Sequence, residues 1–176
     1  MDCHDYAIDV QATYPDVIFG HWLQIDPRTG REGVAEFERC AAACRGFIGI
    51  CVSAPGMGYA ASDPIFDPFY QASIALQRPV LVLVGTTGSG AGQRGGGGVL
   101  LDLSHPRYID ALSVRHPDLT IIAGRNPWPW TDDMSVIESD VFVTNVLERA
   151  LGRIVIGEIL PDVAADRVAH VFAEDA

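Results

Sequence analysis

One apolar run, residues 79–84, constrains the fold more than any other part of the 176-residue sequence. It reads Pro-Val-Leu-Val-Leu-Val and ends at Gly85. An apolar run of this length without alternating polar residues is typical of a strand that is buried on both faces of a parallel sheet. Because α/β proteins bind their ligands at the carboxyl ends of such strands, the run places a candidate site at Gly85.

Strand and helix patterns alternate along the chain. Predicted strands cover residues 17–25, 47–53, 79–84, 119–124, 141–145 and 153–158. The first predicted helix ends near residue 14, and a later one begins at residue 131. The other predicted helices cover residues 30–45, 63–77, 104–115 and 161–176. Such alternation predicts an α/β fold with a parallel sheet of about six βα units, either open or closed into a barrel. No linker interrupts the pattern, so we expect a single domain over residues 1–176.

The basic residues exclude several classes of function. All twelve are arginines, so the chain has no lysine for a P-loop, a Schiff base or a carbamate that bridges two metals. The net charge of −11 disfavours nucleic acid and anionic membranes as partners. No apolar run is long enough to span a membrane, and the first residues do not resemble a signal peptide. We therefore expect a cytoplasmic protein.

The four cysteines show no metal-binding spacing. They are Cys3, Cys40, Cys44 and Cys51, without a Cys-x-x-Cys pair or a histidine at zinc spacing. Cys40 and Cys44 share one face of a predicted helix, because they lie four residues apart. We interpret all four as reduced thiols.

A set of short motifs carries a resemblance to a known family. In chain order they are Tyr14-Pro15-Asp16, Ile25-Asp26-Pro27, Gly46-Phe47-Ile48-Gly49-Ile50, Asp63-Pro64, Gly85-Thr86-Thr87-Gly88, His116-Pro117-Asp118-Leu119 and Trp128-Pro129-Trp130. With these motifs nearly the whole chain resembles the amidohydrolase-related proteins of the aminocarboxymuconate-semialdehyde decarboxylase type. The resemblance implies a (β/α)8 barrel that hydrolyses or decarboxylates small carboxylic acids at one divalent metal, such as zinc or manganese.

The chain departs from that family in length and in its metal positions. A full barrel takes roughly 250 residues, and the resemblance aligns the first strand here with about the third strand of the family, so the His-x-His strand has no counterpart. We therefore expect an incomplete TIM-type barrel that lacks the first strands. The matching ligand positions hold Leu83, Arg125 and Ile159, and none of these side chains binds a metal. Glu158 is one position away, which turns it to the other face of a strand.

Without these ligands we predict no bound metal, no assigned catalytic residue, and a domain that is inactive or only binds a ligand. The candidate pocket lies where the strands end. Its members are Thr86, Thr87, Arg125, Trp128, Trp130, Asp132 and Asp133. Two indoles and a guanidinium can hold a small carboxylate or aromatic ligand by stacking and by a bidentate ion pair. The alternative is that the tryptophans only close the barrel mouth.

Other motifs leave further alternatives open. The glycine-rich loop 85–98 follows a strand, as a dinucleotide-binding loop does, but no helix pattern begins within it, which favours a lid or a simple loop. We interpret His21 as a structural histidine with its hydrogen bonds satisfied, and His105 and His116 as capping or surface residues.

Two alternatives to an inactive domain concern partners. A partner chain could complete an active metal-dependent hydrolase or carboxy-lyase, or the chain could be a non-catalytic subunit. Six βα units leave two sheet edges without a neighbour, and exposed edges are usually covered. We therefore predict a homo-oligomer or a paired barrel subunit.

Overall fold

A computed structural model describes residues 3–18, 20–44, 46–124, 128–135 and 141–144. The strands are β1 (His21–Gln24), β2 (Phe47–Val52), β3 (Val80–Leu83), β4 (Ile121–Gly124) and β5 (Val141–Thr144). The helices are α1 (Cys3–Thr13), α2 (Gly30–Ala43), α3 (Ala54–Met57), α4 (Asp67–Ala75), α5 (Arg107–Arg115) and α6 (Thr131–Ser135). The strand predicted over 153–158 and the helix predicted over 161–176 lie outside the described residues.

The five strands form one parallel sheet in the order β1-β2-β3-β4-β5. Each strand therefore pairs with the next one along the chain, as the βα units of a barrel do. The predicted α/β class and parallel sheet are confirmed. Within the described sheet, β1 and β5 are the edge strands.

Several predicted boundaries are wrong by a few residues. The first strand begins at His21 rather than at residue 17, because the backbone amides of Val17 and Ile18 instead bond to the carbonyl of Tyr14, at 3.1 and 2.8 Å, in a turn. Residues 54–57, predicted as loop, form the short helix α3. Proline near its start suits the first helical turn, and Gly58 ends it with a φ of 80°.

One face of the sheet forms the core. Leu23, Ile50, Val80, Val82 and Ile121 are all buried on this face, packed against the helices. The aromatic side chains that cover them are Phe37 of α2, Phe66, and Phe69 and Tyr70 of α4, each fully buried. Burial of large apolar side chains is the main stabilising term of such a core.

The opposite face of the sheet is only partly covered. Successive strand residues point to opposite faces, so Leu81 and Leu83 lie opposite the buried valines of β3. Both are half-buried, as are Trp22 of β1 and Cys51 of β2. The prediction that β3 is buried on both faces is therefore wrong for the described part of the chain. In a closed barrel this face would line the interior.

None of the helices that the structure describes is both long and apolar enough to cross a membrane.

Candidate functional site

The end of β3 is held by a reciprocal contact with the segment before α5. The backbone amide of Gly85 donates to the Ser104 carbonyl at 3.0 Å, and the Ser104 hydroxyl donates to the Gly85 carbonyl at 2.7 Å. Gly85 has a φ of 77°, a conformation that suits glycine because other residues meet a steric penalty there. Both residues are buried. The sequence signal, a strand ending in glycine, correctly marked where the chain turns.

The loop after β3 is joined to the loop after β4. The backbone amide of Thr86 donates to the carbonyl of Trp128 at 3.0 Å, so these two predicted site residues do come together. The Thr87 hydroxyl instead accepts a hydrogen bond from the Ser89 amide at 3.1 Å and supports a local turn. The Trp128 side chain is 61% exposed, so it does not plug the sheet end in the described structure.

His105 lies beside the predicted pocket residues, although its place in the sequence predicts only a capping or surface role. Its ring centroid is 4.7 Å from that of Trp130, with the planes at 38°. Its Nδ1 accepts a hydrogen bond from the backbone amide of Arg107 at 3.2 Å, which confirms a role at the start of α5. Its Nε2 is 3.7 Å from a carboxylate oxygen of Asp133. Only 14% of the His105 side chain is exposed.

The tautomer of His105 follows from these contacts. Since Nδ1 accepts from a backbone amide, the proton of the neutral ring is assigned to Nε2, which points toward Asp133. The ring thus offers an aromatic face and a polar edge at the same place. The sequence signal that could have identified it is position: the Ser104-His105-Pro106 segment directly precedes a helix that follows β3.

We call Thr86, His105, Trp128, Trp130 and Asp133 the mouth cluster. The backbone links from residue 85 to 104 and from 86 to 128 connect its members at the carboxyl ends of β3 and β4. Asp132 is exposed. Arg125, the predicted carboxylate partner, lies outside the described residues, directly after β4.

Of the positions that the resemblance aligns with metal ligands, only Leu83 lies among the described residues. Leu83 is a half-buried residue of β3 with no ligand atom. The two other positions, Arg125 and Ile159, and the neighbouring Glu158, lie outside the described residues. Among the residues that are described, three ligand atoms converge within 4.8 Å only in His4, Glu36 and Cys40, which belong to α1 and α2 rather than to the strand ends.

The end of β1 carries a carboxylate that is already engaged. Asp26 accepts hydrogen bonds from the backbone amide of Arg28 at 3.0 Å and from its guanidinium at 2.6 Å. The hydrogen bonds from Arg28 lower the pKa of Asp26 below its ordinary value. Asp26 therefore starts the short 3-10 turn Pro27–Thr29.

A cavity of about 530 Å³ runs along β1. Its lining includes His4 and Ala7 of α1, the strand residues His21 and Trp22, and Met57 of α3. The Nε2 atom of His21 is buried and has no hydrogen-bond partner among the described residues. The interpretation of His21 as fully satisfied is therefore wrong. Burial, and secondarily the charge of His4, lower its pKa.

His116 is buried rather than exposed. It ends α5, as predicted, but only 6% of it is accessible, and its Nε2 lies 3.0 Å from a carboxylate oxygen of Asp67. Arg115 donates to the same carboxylate at 2.8 Å. The surface interpretation is therefore wrong, because the ring also packs edge-on against Tyr70 at 5.5 Å.

The glycine-rich loop has the geometry of an exposed turn. Gly95, Gly96, Gly97 and Gly98 all have φ between 61° and 79°, and residues 91–98 are exposed. A dinucleotide-binding loop leads directly into a helix whose amino end faces the phosphates. Here the next α-helix is α5, which begins only at Arg107. The described loop therefore lacks that arrangement.

Comparison with known proteins identifies both a family and a fold. The family model described as Amidohydrolase matches residues 2–134. Among solved structures, the chain is similar to an uncharacterized TIM-barrel protein from Bordetella bronchiseptica, with 16% identity and a TM-score of 0.60 over 80% of this chain and 47% of that one. At this identity the likeness shows the fold alone. No curated protein matches the chain.

The chain thus spans about half the length of that barrel, 47%. A parallel sheet with consecutive strand order and a TIM-barrel neighbour of which the chain covers 47% confirm the predicted incomplete barrel.

Proposed function

Because the chain belongs to the amidohydrolase family, we propose that it is a ligand-binding domain of that family that has lost metal-dependent turnover. The proposed ligand is a small carboxylate or aromatic compound at the mouth cluster, with no metal cofactor. The finer assignment to the decarboxylase type rests on the Trp128-Pro129-Trp130 motif and on the other motifs that resemble that group.

The observation that carries this proposal is the His105–Trp130 pair at the carboxyl ends of β3 and β4. The two rings lie 4.7 Å apart and offer an aromatic surface at the end of the sheet where barrel proteins bind ligands. The pair accounts for an aromatic preference, since offset ring stacking adds about 0.5–1.5 kcal/mol beyond area burial. Arg125, which directly follows β4, is proposed to pair with the carboxylate.

The loss of turnover is proposed from the ligand positions. A catalytic zinc site uses about three protein ligands and an open position for water. Leu83 supplies none, and the residues at the matching positions 125 and 159 are an arginine and an isoleucine. Without metal ligands at these positions, the domain can bind a small molecule but has no metal to activate water.

Calorimetric titration with benzoate tests the binding site. We expect saturable binding by the wild-type protein, about tenfold weaker binding by Trp130→Leu for a loss near 1.4 kcal/mol, and unchanged binding by Trp22→Leu as the matched control, since Trp22 lies on β1. Equal affinity of the Trp130→Leu and wild-type proteins would reject the mouth cluster as the site.

A second measurement tests the proposed inactivity. Metal-stripped protein is reloaded with zinc or manganese and assayed for carbon dioxide release from aromatic carboxylates and for hydrolysis of aryl amides. We expect no turnover above the metal alone. Metal-dependent turnover that is lost on adding a chelator would instead support the active alternative.

The open sheet favours a second candidate function. The described sheet has five strands, with β1 and β5 at its edges, whereas a closed TIM barrel has eight. A homo-oligomer or a paired barrel subunit that covers these edges would make the chain a non-catalytic subunit, or would complete an active enzyme with ligands from the partner chain. Light scattering over a dilution series tests this: a species that remains monomeric at micromolar concentration would contradict it.

Two further assignments belong to this proposal. We propose that residues 1–176 act as a single domain. We also propose a cytoplasmic location, which the unbridged thiols of Cys40 and Cys44 support because disulfides are rare there.

A further inference from the structure

We propose that His4, Glu36 and Cys40 form a binding site for a divalent metal ion of the zinc class, at the contact between α1 and α2. The His4 Nδ1 lies 3.0 Å from Oε1 of Glu36, and the Cys40 Sγ lies 3.4 Å from the same oxygen. All three ligand atoms lie within 4.8 Å of one another. Nitrogen, sulfur and carboxylate oxygen are the ligand types that zinc prefers.

The distances fit a tetrahedral ion after small side-chain shifts. Zinc bonds of about 2.0–2.3 Å at tetrahedral angles place ligand atoms roughly 3.3–3.6 Å apart. The two separations from Glu36 in the structure, 3.0 and 3.4 Å, bracket the lower end of that range. No backbone movement is required to bring the carboxylate and the thiol together.

The helix geometry explains why two of the ligands meet. Glu36 and Cys40 are four residues apart on α2, so their side chains lie on the same helix face one turn apart. The same spacing presents paired ligands in helical zinc motifs. His4 reaches the pair from the first turn of α1, 32 residues earlier in the chain. The third ligand therefore has no local sequence spacing that could reveal it.

Without a metal, hydrogen bonds to Glu36 hold the three side chains together. His4 and Cys40 both direct a hydrogen-bonding atom at Oε1 of Glu36. A divalent ion at this point displaces one proton, which leaves the Cys40 thiol for solvent. Because the ionised Glu36 carboxylate only accepts hydrogen bonds, Nδ1 of His4 carries the proton in the metal-free contact. Ligation through Nδ1 requires that this proton move to Nε2. Two negative ligands then balance the two charges of the ion.

Charged neighbours of the site limit which metals can compete. Arg39 donates to both oxygens of Glu36 at 2.6 Å and to Asp5 at 2.8 Å. A metal must share Oε1 with this guanidinium, and Arg39 keeps Asp5 and the second Glu36 oxygen as partners. Zinc binds thiolates well, so its bond to Cys40 offsets the weaker bond to the shared Glu36 oxygen. Magnesium and calcium prefer oxygen ligands and lack this compensation.

A second observation points to the same place. His21 has a buried Nε2 without a hydrogen-bond partner in the described part of the chain, and it lines the same cavity as His4. Its other nitrogen already lies 3.8 Å from the Cys44 sulfur. An unpartnered nitrogen in the cavity that His4 also lines suits a hydrogen bond to the water that would fill the open fourth position of a zinc ion held by His4.

Cobalt titration of the metal-free 176-residue chain tests the site. Cobalt replaces zinc in such sites, and a cobalt–thiolate bond adds a charge-transfer band in the near ultraviolet. We expect one cobalt per chain, displacement by zinc, and release of about one proton per bound ion, because the thiol must be deprotonated.

Matched variants assign the ligands. Cys40→Ser should remove the charge-transfer band, whereas Cys44→Ser, the neighbouring buried thiol, should keep it. Glu36→Gln should weaken zinc binding by at least about tenfold, because removing even a hydrogen-bond partner of a metal ligand costs 10- to 100-fold in affinity. Glu38 is exposed, so Glu38→Gln should leave zinc binding unchanged. His4→Gln should weaken it similarly. Circular dichroism of each variant checks that it folds.

The absence of a thiolate–cobalt band in the wild-type protein would overturn the proposal, as would equal zinc affinity of Glu36→Gln and Glu38→Gln. This site is independent of the mouth cluster. Its failure would leave benzoate binding unchanged, and failure of benzoate binding would leave the cobalt titration unchanged.

Discussion

Replacing Ser104 with alanine tests whether the end of β3 depends on one buried hydroxyl. The Ser104 side chain is almost fully buried, with 3% of the residue accessible, and its hydroxyl donates to the Gly85 carbonyl at 2.7 Å. The hydroxyl also lies 2.7 Å from the Leu101 carbonyl. The Ser104→Ala change removes the donor and leaves both carbonyls in place.

The expected cost follows from burial. Removing one partner of a buried hydrogen bond costs about 1–3 kcal/mol, because the remaining polar group is not solvated. The backbone bond from the Gly85 amide to the Ser104 carbonyl, 3.0 Å long, does not involve the hydroxyl and remains. We therefore expect a loss of about 1–3 kcal/mol. For a chain of this size each kcal/mol lowers Tm by roughly 2–4 °C.

Urea denaturation and thermal melts of Ser104→Ala measure this cost against Ser113→Ala. The Ser113 hydroxyl donates to the Asp110 carbonyl at 2.8 Å within α5 and is only half-buried, so its loss should cost less than about 0.5 kcal/mol. Because residue 104 is next to His105, benzoate binding should also weaken in Ser104→Ala. Equal stability of the two variants would refute the argument that this hydroxyl holds the end of β3.

Three further predictions concern packing and pH. A Cβ on Gly49 would lie 2.1 Å from the Pro79 carbonyl oxygen, so Gly49→Ala should destabilise the protein by the roughly 1–3 kcal/mol of an overpacked core or more. Gly56→Ala is the control, because the nearest atom to its Cβ is a side-chain oxygen at 3.5 Å. Equal urea midpoints of the two variants would contradict the clash. The folded-state pKa of His21 lies below its ordinary value of about 6.5, so the unfolded chain binds more protons and the free energy of unfolding should fall as the pH drops through 6.5. His21→Gln should flatten this slope between pH 7 and 5, and an unchanged slope would argue against burial of an unpaired neutral ring. The Glu36 pKa, lowered to about 2 chiefly by Arg39, adds a separate loss of stability between about pH 4.5 and 2 that Glu36→Gln should remove.

Local patterns were enough to predict most elements of the described fold. The apolar run at residues 80–83 and the 3–4 spacing around Phe37 each correspond to an observed strand or helix. Periodicity is a property of neighbouring residues, so it can be read without knowing what packs against them. The same reasoning predicted the parallel sheet from the alternation of strand and helix.

Contacts between distant segments could not be predicted in this way. The apolar run did not reveal that Leu81 and Leu83 face a partly open surface, because burial depends on what covers the sheet. His105 was assigned to α5 from its own neighbours, and its stacking on Trp130 appears only when β3 and β4 place their loops side by side.

The sequence by itself determined the family, the alternating α/β pattern, and the arginine and isoleucine at the two positions that the resemblance aligns with metal ligands. These are properties of residue type and order along the chain. Only the tertiary structure decided that His105 joins the mouth cluster and that His4 meets Glu36 and Cys40 across 32 residues. Side chains on separate elements converge through the register of the sheet and the packing of the helices, which local spacing does not encode.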